Sequence, residues 1–251
     1  MFTQSRRLFL KGSAAMGAVL SLATAAFGAD PIVIGIPAAQ SGPVGVADHQ
    51  DWTNGAMMAI EELNAKGGVL GRPLEAKIID LDMLSPEGNV AGFQSLIEGG
   101  AHAIASAFTI IPQPAMDTAA PSGIPYVHGN TSTVNVDLFK ADPQKYRNVF
   151  QLDVAEKWYG TGFVRFMSDL KASGQWEPKN NKVHIVQGQI SYTQLISQAT
   201  QEAVAKTNGE WEIAAVTDIQ FPVQDWAPVI RALQDTDAGA IMIDHWVAAE
   251  L

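Results

Sequence analysis

Cysteine is absent from the 251 residues. That excludes disulfides, thiolate nucleophiles, cysteine zinc sites and iron–sulfur clusters. Basic residues are scarce, with 16 Lys+Arg against 26 Asp+Glu and a net charge of −10. Three of those positives (Arg6, Arg7, Lys11) lie in the first 29 residues, which hold no acid, so the rest of the chain balances at −13. Such a surface argues against nucleic acid, whose phosphates demand basic patches, and gives no attraction to an anionic membrane. Catalytic signatures are missing too. There is no G-x-S-x-G elbow and no H-E-x-x-H, and the glycines at 67–71 lack the G-K-[ST] ending of a phosphate loop. The five histidines (49, 102, 128, 184, 245) show no pair at metal-ligand spacing. His102 and His184 sit in apolar strand contexts and are expected to be satisfied core or interface groups. No cofactor and no metal is expected.

What is present is enough for a globular core: 47% of residues are hydrophobic and 17% charged, which fits one large domain or two small ones. The N-terminus reads as an address. Ser5-Arg6-Arg7-Leu8-Phe9-Leu10-Lys11 matches a twin-arginine export signal, and an Ala/Gly-rich apolar segment runs to about Phe27. Small residues allow cleavage near Ala25 or Ala29, which assigns 1–29 to a signal peptide. As a membrane anchor the segment is too short and too rich in glycine, since a span needs about 20 apolar residues. No later run is long enough to cross a bilayer.

The stretch from Pro31 to Asp82 organises the rest. A β-branched run (Ile32, Val33, Ile34, Ile36) breaks at Pro37 and opens into the turn Ser41-Gly42-Pro43. A helix follows, with Trp52, Ala56, Ile60 and Leu63 on one face and Gly67-Gly68 at its end. Leu74–Leu81 reads as a second strand, completing a βαβ unit of the kind that builds parallel sheets. Ser85-Pro86 opens the next helix, striped by Val90, Phe93, Leu96 and Ile97. Strands are expected at Ala101–Phe108 and Ile124–His128, with a short helix between them. Asp137–Asn148 reads as a polar surface excursion, and Val149–Asp153 as a strand. The alternation then restarts: helix Glu156–Ser173, strand Val183–Gln187, helix Thr193–Lys206, strand Trp211–Ile219, a helix capped by Asp225, and strand Ala240–Asp244. The expected fold class is α/β, with two doubly wound parallel-sheet lobes around a cleft, 30–150 and 151–251.

A first strand ending in S-G-P, followed by N-G-A-x-x-A-I-E-E-L-N-A-K-G-G-V-L-G-R over 54–72, resembles the mature start of type I periplasmic solute-binding proteins. The branch it is most similar to is the leucine/isoleucine/valine-binding group of ABC-transporter receptors. The resemblance implies a periplasmic protein that captures a small solute between two lobes and presents it to ABC permease membrane subunits. Members run further than Leu251, so the chain is expected to be C-terminally incomplete in both lobes. A protein of this kind without cysteine lacks the lipid-modified tether of many exported receptors and is expected to be freely soluble in the periplasm.

Ligands of open α/β sheets gather beyond the carboxyl ends of the strands. There, Asn130, Thr131 and Ser132 offer hydroxyl, amide and main-chain N–H groups, a suitable cradle for a carboxylate, and Thr109 follows the preceding strand. Taken alone, these residues fit ordinary turn and cap chemistry equally well. The resemblance favours binding: Thr109 fits a family serine, and 130–132 fit the family's A-A/S-T run, with Asn130 departing from the usual small residue. Tyr192 stands where the family closes an aromatic over the ligand. Trp246 stands where a G-Y pair is common, and core packing is an even alternative for it. The family acid that pairs with the solute's ammonium would lie beyond Leu251. Where an aromatic frequently follows S-G-P, this chain has Val44 to His49; Asp48 and His49 are candidates to touch a more polar solute, while Asp48 or Asp51 as a helix N-cap is the plainer account. Asp80 and Asp82 face one way along a strand, and capping of the Ser85 turn explains them better than catalysis.

The expected activity is capture of a small amino acid or related polar solute, with no catalysis. An amide- or urea-type receptor, or a ligand-sensing protein of the same fold, is the alternative. A small-amide hydrolase is disfavoured by the missing nucleophile and metal motifs.

Overall fold

A computed structural model of the chain describes residues 30–220 and 225–244. The twin-arginine segment and Trp246 lie outside the described residues. Two parallel sheets organise the chain. The first runs β1 (Ile32–Ala38), β2 (Leu74–Asp80), β3 (Ala103–Ser106), β4 (Tyr126–His128) and β5 (Val149–Gln151), in the spatial order β2-β1-β3-β4-β5. The second sets β6 (Lys182–Gly188) between β7 (Glu212–Ile219) and β8 (Ala240–Asp244). Helices make every crossover between the paired parallel strands: α1 (Val46–Ala65), α2 (Pro86–Glu98), α3 (Pro112–Ala119), α4 (Thr133–Ala141), α6 (Ser191–Ala205) and α7 (Ala227–Thr236). Parallel strands need such crossovers because a tight turn reverses chain direction. α5 (Lys157–Ala172) links the two sheets.

Each sheet has its own core. Leu81, Phe93, Leu96, Ile104, Met116 and Tyr126 fill the first, and Val164, Met167, Val183, Ile185, Val204 and Trp211 fill the second. Trp211 keeps its polar edge satisfied by donating Nε1–H to Ser168 Oγ at 2.9 Å. Close helix contact in the second half depends on Gly160, where a Cβ would lie 2.4 Å from the Ile196 carbonyl oxygen of α6.

Four local readings change. α4 occupies part of the expected polar excursion at 137–148, because the Ser132 side chain caps its first turn by accepting from Asn135 N–H at 3.2 Å. Only Leu138 of α4 joins the apolar core, so the helix carries too thin a stripe to show in the periodicity. α1 begins at Val46 behind left-handed Gly45, not at an Asp48 or Asp51 cap. Its buried face is His49, Thr53 and Ile60, leaving Leu63 42% exposed, because packing against the sheet turns the helix by about one residue. His102 is exposed and accepts from Val33 N–H through Nδ1, whereas His184 is buried between the Thr217 and Thr236 hydroxyls, both at 2.7 Å.

Candidate functional site

The carboxyl ends of β1, β3 and β4 open on the same side as the start of α6, and between them lies a cavity of about 760 Å³. From the first sheet come Val44, Phe108, Thr109 and residues 129–132; from the second half come Gln189 to Tyr192, Gln194 and Leu195. Of the six residues picked from sequence, Thr109, Asn130, Thr131, Ser132 and Tyr192 meet in this one space, and Trp246 lies outside the described residues.

Their groups are used differently. Asn130 Oδ1 accepts the Thr109 N–H at 3.2 Å and its Nδ2 donates to the Thr109 carbonyl at 2.9 Å, so this amide shapes the β3 loop. Thr109 is 2% exposed, and its Oγ1 has no hydrogen-bond partner among the described residues. A buried hydroxyl without a partner costs free energy until something supplies one. Ser132 Oγ caps α4. Thr131 meets the Tyr192 hydroxyl across the cavity, and burial pushes that phenol above its ordinary pKa despite the Thr131 contact. Tyr192 is therefore a neutral donor at physiological pH.

Behind the wall, two groups place the β1–α1 loop. His49 is buried, accepts from Ala39 N–H at 2.9 Å through Nδ1, and meets Phe108 edge-on at 4.7 Å. It does not line the cavity. Burial holds its pKa below the usual histidine value, so it is a neutral prop at neutral pH. Asp80 accepts from the Ser41 hydroxyl and from the Gln40 and Ser41 N–H groups, which hold its carboxyl below the usual range, the Ser41 hydroxyl bond being the largest cause. Asp82 accepts from Leu84 N–H and the Ser85 hydroxyl, the capping role expected of it.

Glu156 also lines the cavity and was not picked from the sequence. It stands just before α5, and its Oε2 accepts from both Thr133 N–H and Thr133 Oγ1, the latter at 2.8 Å. A carboxylate there complements the positive end of the α4 dipole. The only local signal was an acid in the segment joining the halves, 23 residues from its partner. Among the described residues, no cluster of histidine and acidic side chains could hold a metal ion.

The family model for periplasmic binding proteins matches residues 31–249. The chain belongs to the periplasmic binding protein family. A "Leu/Ile/Val/Thr-binding protein" of Salmonella typhimurium is 38% identical over 106 residues, 42% of this chain and 28% of that protein. A structure assigned to a branched-chain amino acid ABC transporter from Silicibacter pomeroyi superposes with a TM-score of 0.80 at 30% identity, over 88% of this chain and 55% of that one. The closed conformation of a leucine-, isoleucine-, valine-, threonine- and alanine-binding protein from Brucella ovis shares the fold, with a TM-score of 0.67 at 14% identity over 88% and 55% of the two chains. This periplasmic binding protein chain thus spans about half the length of the solved chains it matches. These relatives are substrate-binding components of transporters, not enzymes. No helix among the described residues is long and apolar enough to cross a membrane.

Proposed function

We propose that this protein captures a small amino acid or a related polar solute and delivers it to the membrane permease of an ABC importer. The observation that carries this reading is the shared cavity, walled by strand-end loops from both sheets. The amino-acid ligands named for the Salmonella and Brucella proteins support the substrate class. The solute docks first on the lobe formed by 30–150, where the Thr109 hydroxyl lacks a partner and the 130–132 turn presents polar groups. The lobe formed by 151–251 then brings Tyr192 across, and Trp246 with it. A closed state gains on the open one only through contacts present when both walls touch the solute. Export through the twin-arginine signal delivers the protein to the periplasm.

The test is a thermal-shift screen against amino acids, amides and ureas, followed by titration of the strongest hit. Thr109→Ala and Ser132→Ala should each weaken binding by roughly 1–3 kcal/mol if they hold a charged group of the solute. Unchanged affinity in both variants removes these residues from the site. Turnover of any hit would reject the receptor reading.

A further inference from the structure

Resting on the receptor reading above, we propose that Glu156 and Asp244 form a carboxyl pair that takes the positively charged group of the solute beside Tyr192.

The cavity's charge is one-sided. Among its described lining residues Glu156 is the sole carboxylate, and there is no Lys, Arg or His to balance it. Glu156 is only 3% exposed, and the two hydrogen bonds it receives from Thr133 both fall on Oε2. Asp244 approaches from the other half, at the end of β8. It is 6% exposed, and its Oδ2 has no hydrogen-bond partner among the described residues. The Tyr192 phenol feels the charges of both Glu156 and Asp244, and of Tyr159, which places the two carboxyls around one side chain of the cavity wall.

A buried carboxylate without a counter-charge is unfavourable, and an entering cation with hydrogen-bond donors relieves that penalty. Burial has pushed the Asp244 carboxyl up to about 7, against the one main-chain contact at Ser197 that favours its charge. Glu156 precedes α5 and Asp244 belongs to the second sheet, so a cation touching both also ties the joining segment to the second half. The same pair repels a solute with a second carboxylate at this end of the cavity. The partnerless Thr109 hydroxyl then remains for the solute's polar or anionic end.

The test is calorimetric titration of the full chain, wild type, Glu156→Gln and Asp244→Asn, with L-leucine, 3-methylbutylamine (the cation without the carboxylate) and 4-methyl-2-oxopentanoate (the carboxylate without the ammonium). The wild type should bind leucine about 100-fold more tightly than the oxo acid, and each variant should lose about 10-fold for leucine while its oxo-acid affinity holds within about twofold. Leucine affinity unchanged in both variants overturns the pair, as does an equal loss for leucine and the oxo acid, which would mark a structural role. Should Glu156→Gln unfold because α4 loses its cap, Asp244→Asn decides alone, since it is isosteric and removes a buried charge. Binding of the amine with no amino acid in the screen bound would sustain the pair and reject the amino-acid reading; leucine binding that ignores both substitutions does the reverse. Binding of none of the three probes overturns both.

Discussion

Asn130 grips the main chain of Thr109 at both polar ends, through Oδ1 to its N–H at 3.2 Å and Nδ2 to its carbonyl at 2.9 Å. Two loops that follow neighbouring strands are thereby locked at the floor of the cavity. Asn130→Ala leaves a buried N–H and carbonyl unmet, so it should destabilise the protein by about 1–3 kcal/mol in urea unfolding. It should also lower solute affinity, because the Thr109 hydroxyl loses its placement. Asn130→Asp keeps the acceptor but not the donor and should fall between the two.

Asp244 links stability to pH in an unusual direction for a carboxyl. Its folded pKa, about 7, lies above the unfolded value of 3.8, so its contribution is fully present below the unfolded value and is lost as pH rises through the folded one. Asp244→Asn should therefore raise stability at pH 8 by up to about 4 kcal/mol, from roughly three pH units at 1.36 kcal/mol each, and change little at pH 4. Unfolding curves at the two pH values check this. A gain in stability beside a loss of solute affinity would be the pattern of a functional buried charge.

His128 acts in the opposite sense. Burial pushes its ring down to about 4, below the unfolded value of 6.5, so the folded chain keeps it neutral. The stability this supplies is present above pH 6.5 and disappears as pH falls through 4. The loss should approach about 3 kcal/mol at 1.36 kcal/mol per unit. His128→Gln should flatten that part of the stability profile. A profile of unaltered slope would mean that the ring is charged in the native state.

Gly160 should tolerate no side chain. A methyl group there would press on the Ile196 carbonyl of α6 and on Thr200, so Gly160→Ala should cost about 1–3 kcal/mol despite alanine's better helix propensity. Gly162, two positions on, has open space around its would-be Cβ and should accept alanine with no loss. Thermal melts of the two variants separate packing from propensity.

The order of strands and helices was legible without coordinates, because the signals that write it are local. β-branched runs, glycine stops and the Ser85-Pro86 start each act within a few residues, and the strand-end turns at Thr109 and 130–132 follow from that order. The resemblance of 54–72 then named the family and singled out Tyr192. Tertiary structure decided what no local window contains. Which face of α1 is buried depends on the sheet beneath it, so His49 became a prop behind the wall instead of a solute contact. Whether Asn130 touches a solute or holds Thr109 depends on a neighbour 21 residues away. Glu156 reaches α4, and Asp244 is stripped of water, only because segments distant in sequence pack around them. Burial and charge pairing are sums over neighbours in space, and the chain's own order supplies those neighbours only after it has folded.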